Sequence, residues 1–174
     1  MYKKAKEKIT LVQGDITREY TDVIVNAANS TLLGGGGVDG AIHRAAGPDL
    51  LTECSKLGGC PVGEARTTDG YKLNARYVVH TVGPIWRGGS HNEEALLRNA
   101  YTNSLKEAVK VHAHSIAFPA ISTGVYGFPK DRAAEIAVSA ILNFLSTDST
   151  IEEVHLVCFS PESVAAHSKA LRRY

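Results

Sequence analysis

Four consecutive glycines, Gly34 to Gly37, stand between an apolar run and Val38-Asp39-Gly40-Ala41-Ile42-His43. Glycine loses more backbone entropy on ordering than any other residue, so the run suits a backbone that must approach something closely. Where such a run opens a helix, the first N–H groups point outward and the dipole favours negative charge, as phosphate recognition requires. From the glycines alone, a flexible surface loop accounts for the run equally well. Gly35-Gly36-Gly37-Val38-Asp39-Gly40 also fits the G-x-G-x-x-G pattern of dinucleotide sites. Residues 28–33, however, separate the expected strand end from the glycines, where a Rossmann turn follows its strand at once. No Lys-Ser/Thr follows the glycines, so a P-loop is excluded.

Asp39 and His43 are four residues apart at the start of the expected helix and share a face. A carboxylate in a first helical turn is stabilised by the dipole. It serves better as an acceptor for a sugar hydroxyl or a water than as a strong base. Alone, Asp39 is equally a helix-start charge, and His43 is more often a core or surface histidine bound to backbone than a catalytic one. A second loop repeats the logic of the first: Phe118-Pro119-Ala120-Ile121 runs into Ser122-Thr123-Gly124-Val125-Tyr126-Gly127 and then a helix. In open α/β sheets ligands bind outside the carboxyl ends of strands, so two such loops can clamp one pyrophosphate. Tyr126 covers either a ligand or the core. Asp15, after another strand end, either accepts from an exocyclic amine or makes an Asx turn. Phe159, at the end of the last strand, either stacks on a base or is ordinary core.

Other chemistries find no support. There is no G-x-S-x-G elbow, the seven histidines form no H-E-x-x-H, and Cys54 and Cys60 are spaced wrongly for a zinc pair, so no metal site and no cofactor are expected. Three cysteines cannot complete a disulfide framework, which suggests reduced thiols and a cytoplasmic address. The basic, polar residues 1–8 precede no apolar signal core, and no apolar run approaches a membrane span. The net charge of +1 supplies no global field to hold a polynucleotide, so an RNA-binding regulator fits poorly.

These loops need a sheet to hold them. Apolar runs at 9–12, 22–27, 76–82, 115–119 and 154–159 read as strands, with 64–68 a weaker edge candidate. Residues 38–46 read as a short helix just after the glycines, 93–111 and 131–145 carry helical stripes, and Ser160 is placed to cap a last helix. Such alternation predicts an α/β fold with helices on both faces of a largely parallel sheet. With no internal repeat or linker, one domain spanning 1–174 is expected.

Together these motifs resemble macro domains of the MacroD type. The resemblance rests on Gly14-Asp15-Ile16-Thr17, Val25-Asn26-Ala27-Ala28-Asn29, the Gly34 to Asp39 loop, Ala41-Ile42-His43-Arg44-Ala45-Ala46-Gly47, Val79-His80-Thr81-Val82-Gly83-Pro84-Ile85-Trp86 and Ile121-Ser122-Thr123-Gly124-Val125-Tyr126-Gly127. It runs over about residues 9–159 and is strongest toward bacterial O-acetyl-ADP-ribose deacetylases. It implies a three-layer α/β/α fold around a mixed, mostly parallel sheet. By the same resemblance, Asp15 and the backbone of Ile16 read adenine. Gly35, Gly36, Gly37 and Val38, with Ser122, Thr123, Gly124 and Val125, hold the phosphates. Asn29, Asp39 and His43 surround the terminal ribose as catalytic residues, with Tyr126 packed against it and Phe159 on the adenine side. The implied activity is hydrolysis of groups on ADP-ribose: acetyl from O-acetyl-ADP-ribose, or ADP-ribose from acidic side chains of mono-ADP-ribosylated proteins. A non-catalytic ADP-ribose reader uses the same pocket. The implied partners are ADP-ribose and its conjugates, with nucleic acid entering only as ADP-ribosylated ends. The chain departs from the family between Cys54 and Pro61, where relatives carry a longer connection.

Overall fold

A computed structural model describes residues 2–174. Six strands form one sheet: β1 (Ile9–Gln13), β2 (Val23–Ala27), β3 (Ala65–Asp69), β4 (Tyr77–Thr81), β5 (Ser115–Phe118) and β6 (Glu153–Cys158). Their spatial order is β1-β6-β5-β2-β4-β3. Every neighbouring pair is parallel except β3 and β4. The sheet is thus mixed and mostly parallel, with the weakest expected strand as its antiparallel edge. Only Ala65 and Thr68 of β3 are buried, and the rest of the strand is polar and half-buried or exposed, which is why its apolar signal is faint.

Period-2 alternation sends the strand side chains into two cores. Val23, Val25, Val79, Ile116, Phe118, Val154 and Leu156 face one side, packed under α4 (Glu93–Lys110), α5 (Lys130–Thr147) and α6 (Pro161–Leu171). Ile24, Val78, Ala117 and Val157 face the other, covered by α2 (Gly37–Ala46) and α3 (Pro48–Ser55). This is the expected three-layer α/β/α arrangement. Ser160 caps α6, its hydroxyl accepting from the Ser163 N–H at 3.2 Å, with Pro161 in the first turn.

Two helices lie where the sequence reading has none. The short α1 (Lys3–Glu7) buries only Ala5. In α3, Pro48 starts the helix and only Leu50 and Cys54 are buried, too few apolar positions to make a visible stripe. Cys54, Cys60 and Cys158 are free thiols, all buried. No helix among the described residues is long and apolar enough to cross a membrane.

Candidate functional site

Because five strands run parallel, their carboxyl ends open on one side of the sheet. Read across it, the exits are Asp15 after β1, Phe159 after β6, the 119–129 loop after β5, the 28–36 loop after β2 and the 82–92 loop after β4. At about 4.8 Å per strand, roughly 19 Å separates the first exit from the last, a row suited to an extended ligand. The chain leaves β5 for α5 on one face and β2 for α2 on the other, and between such parallel neighbours open α/β sheets leave a crevice. Both glycine loops flank it.

The first loop is built by its own polar groups. Asn29 Oδ1 accepts from the Thr31 N–H at 3.2 Å and the Thr31 hydroxyl at 2.6 Å, and its Nδ2 donates to the Gly34 carbonyl at 2.9 Å. Asn29 therefore organises the loop and keeps one N–H to spare. The glycines then bend into α2, where the Gly40 N–H makes the first helical bond, to the Gly36 carbonyl at 3.2 Å. Gly40 must be glycine: a Cβ there would sit 2.6 Å from the Gly35 carbonyl oxygen. Gly35 in turn lies between Asp39 and Asn29, whose Oδ2 and Nδ2 would be 3.1 Å and 3.5 Å from a Cβ on it. Around Gly36 and Gly37 there is open space. The N–H groups ahead of Gly40 in the first turn of α2 have no intrahelical partner, the arrangement that suits an anion.

Asp39 is 5% exposed, and its Oδ1 lies 3.4 Å from His43 Nε2 one helical turn on. The same oxygen accepts from Asn26 Nδ2 at 2.8 Å. Asn26 occupies β2 directly opposite His80 of β4, both on the sheet face that α2 and α3 cover. Its second N–H is given to His80 Nδ1 at 3.1 Å. Nδ1 must then be the acceptor, so Nε2 carries the proton and donates to Thr68 Oγ1 at 2.9 Å, whose own hydroxyl donates to the Asp69 carbonyl. Burial, aided by His43, pushes the His80 ring down to about 3, so it stays neutral. Cys54 Sγ lies 3.6 Å from Nε2, and burial pushes its thiol up to about 11. Asn26 Oδ1 is left buried without a partner, the consequence of turning both N–H groups toward acceptors.

Tyr101 anchors the second loop at its start, where its hydroxyl donates to the Pro119 carbonyl at 3.3 Å and accepts from the Ile121 N–H at 3.2 Å. The loop closes with the Phe128 N–H on the Ser122 carbonyl at 2.9 Å. Ser122 has a positive φ of 67°, and its buried hydroxyl points toward Gly83. A Cβ on Gly83 would lie 2.1 Å from that oxygen, so Gly83 permits this approach. The Thr123 hydroxyl turns back to the Ala120 carbonyl at 3.0 Å. Ser122 and Thr123 thus leave only their backbone for a ligand, whereas Gly124 borders open space and Val125 is fully exposed. Tyr126 is half-buried, and its carbonyl accepts from the Trp86 N–H at 2.8 Å, joining this loop to the one after β4.

That third loop is held by Glu93, 1% exposed at the start of α4. Its carboxylate accepts from the N–H groups of Arg87, Gly89 and His91 at 2.9, 2.9 and 2.5 Å. Burial pushes the carboxyl up, but these backbone donors prevail and bring it down to about 2. Trp86 packs against Phe128, with ring centroids 4.7 Å apart.

At the far end, Asp15 makes the Asx turn: Oδ1 accepts from the Thr17 N–H at 2.9 Å and hydroxyl at 2.7 Å. Those bonds, the hydroxyl's first, hold its carboxyl below the usual carboxylate range. Its side chain is 53% exposed, and Oδ2 lies 3.9 Å from the exposed Arg18 Nε. Ile16 is buried beside it. Phe159 is 93% exposed and belongs to neither core, and β1 and β6 exit side by side with the Gly14 N–H on the Cys158 carbonyl at 3.0 Å.

The structure thus gathers Asn29, the glycines, Asp39 and His43 at one end of the crevice and Asp15, Ile16 and Phe159 at the other, with residues 122–126 between. Sequence reasoning missed the roles of Asn26, His80, Thr68 and Glu93. A polar Asn inside the apolar run Val23-Ile24-Val25-Asn26-Ala27 is the signal that points to the buried network.

Fold and site define a three-layer α/β protein whose parallel strand ends carry a glycine loop that opens a helix. The chain belongs to the macro domain family, whose model matches residues 25–137. It is similar to a macro domain-containing protein of Methanosarcina mazei, 55% identical over 96% of this chain and 89% of the relative. It is likewise similar to an O-acetyl-ADP-ribose deacetylase of Escherichia fergusonii, 55% identical over 95% of this chain and 96% of the relative. Among solved structures, a mutant Oceanobacillus iheyensis macrodomain with ADPR superposes with a TM-score of 0.91. It is 45% identical and covers 95% of this chain and 92% of its own.

Proposed function

We propose that the protein is a hydrolase that binds ADP-ribose along the crevice and cleaves an acyl ester on its terminal ribose. The substrates are O-acetyl-ADP-ribose and ADP-ribose esterified to acidic side chains. Adenine lies at Asp15, Ile16 and Phe159. The pyrophosphate sits between the first turn of α2 and the backbone of residues 122–125. The terminal ribose lies under Tyr126, against Gly35 and Asn29. Water adds across the ester, leaving a carboxylic acid and free ADP-ribose. Asp39 accepts hydrogen bonds from that water or a ribose hydroxyl, His43 borders the same oxygen, and Asn29 offers its spare N–H. Substrate phosphate, held beside the ribose, helps to position or activate the water. Neither a metal nor a covalent enzyme intermediate is invoked.

The observation that carries this reading is the placement of Asp39. A buried carboxylate tied to Asn26 and touching His43 stands next to the open glycine loop, one helical turn from a phosphate-binding N-terminus. A module that only gripped ADP-ribose would need the loops but not a carboxylate held there. The relatives named as O-acetyl-ADP-ribose deacetylases support the same substrate class. Incubation of purified protein with O-acetyl-ADP-ribose and with an ADP-ribosyl-glutamate peptide, following free ADP-ribose over time, tests it. Catalytic release supports the hydrolase; binding without release identifies a reader instead.

A further inference from the structure

Beyond His43 the wall of the site continues into a shallow depression of about 390 Å³ between the 28–36 loop, α2 and the start of α3. Gly34 and His43 belong to both the depression and the candidate site, so the two are contiguous. Its floor is apolar: Leu33 of the 28–36 loop meets Pro48 and Leu51 of α3, with Leu33 and Leu51 55% and 43% exposed. Arg44 stands at its rim and makes no ion pair among the described residues. Its Nη1 folds back along α2 to within 3.1 Å of where a Gly40 Cβ would be, beside the Gly35 carbonyl.

We infer that this depression is an acceptor subsite: it seats the polypeptide whose acidic side chain carries the ADP-ribose ester. The inference rests on the hydrolase reading above, because that reading puts the ester beside Gly35, Asp39 and His43, and His43 also borders the depression into which the acceptor can leave. Two features choose a polypeptide over a small acyl group. An acetyl group fills the space of about two waters, ~60 Å³, and leaves most of the depression empty. A lone cation beside an apolar floor complements a peptide in which carboxylates neighbour apolar side chains. Residues flanking the modified one lie on Leu33, Pro48 and Leu51, and an adjacent carboxylate pairs with Arg44.

The test compares kcat/KM on an ADP-ribosyl-glutamate peptide flanked by acidic and apolar residues with kcat/KM on O-acetyl-ADP-ribose. Leu51→Asp, an exposed position, puts a carboxylate on the floor. It lowers turnover of the peptide ester by about tenfold or more, in the range of an interface anchor. Turnover of O-acetyl-ADP-ribose and affinity for ADP-ribose stay unchanged, and Leu51→Met restores the peptide reaction. Arg44→Glu likewise lowers only the peptide reaction, and Arg44→Lys recovers part of it. If both substrates lose activity in parallel, or the peptide reaction is untouched by either variant, the subsite is overturned while the hydrolase reading stands. A wild-type protein that cleaves neither substrate overturns the hydrolase reading itself, and the subsite falls with it.

Discussion

Asn26 Nδ2 lies 2.8 Å from Asp39 Oδ1, so the Asp39 carboxylate is held by a fully buried residue of the sheet. Asn26→Leu keeps the volume and removes both N–H groups. A buried charged acceptor then loses a donor, which costs about 1.5–3 kcal/mol. The expected result is that loss in urea unfolding, with turnover of O-acetyl-ADP-ribose reduced about tenfold or more by a freed Asp39. Unchanged stability and turnover together would show that the network is incidental.

Asp39→Ala should lower turnover by at least ~10²-fold, at the low end for a positioned acid–base group. Affinity for ADP-ribose should change far less, because the phosphates are held by backbone. Steady-state kinetics with calorimetry separates the two effects. Near-normal turnover in the variant removes Asp39 from the chemistry.

Gly40→Ala and Gly36→Ala should behave oppositely. Alanine gains about 1 kcal/mol over glycine within a helix. At Gly40 that gain is opposed by a Cβ only 2.6 Å from the Gly35 carbonyl, and overpacking of this kind costs about 1–3 kcal/mol. The glycine loop must shift, so ADP-ribose affinity falls even if stability does not. Gly36 has extended backbone and open space around it, so Gly36→Ala leaves stability within about 1 kcal/mol of the parent. Thermal unfolding and a binding titration on each variant check the contrast.

Glu93→Gln should loosen the 82–92 loop and, through the Trp86–Tyr126 hydrogen bond, weaken ADP-ribose binding severalfold. The pH dependence has a definite sign. The folded carboxyl sits at about 2, below its ordinary 4.5, so its stabilising contribution is complete above pH 4.5 and is lost as pH falls toward 2. Acid unfolding of parent and variant should therefore show a stability gap that is full near neutrality and closes over that window. A constant gap down to pH 2 contradicts the assignment.

Much of the fold was legible because its elements are strongly patterned. β2, β5 and β6 are apolar runs, and α4 and α5 carry stripes long enough to read, while α2 is expected from its place after the glycines and α6 from the Ser160 cap. The α3 helix was not legible, since it buries only Leu50 and Cys54. The two loops announced themselves through glycine, and the structure places them at the exits of the neighbouring strands β5 and β2. What the spacing of residues left hidden was support from elsewhere in the chain. Asn26 meets Asp39 across 13 positions and His80 across 54, through strand register and helix packing that local pattern does not encode. Glu93 reads as an ordinary helix-start acid, and only the fold of the preceding loop gives it three backbone donors.

Titration calorimetry of the purified protein with ADP-ribose is the most direct measurement of the whole account. Saturable one-site binding well below millimolar ligand, weakened in Gly40→Ala and nearly intact in Asp39→Ala, is the expected result. No detectable heat at millimolar ADP-ribose would contradict it.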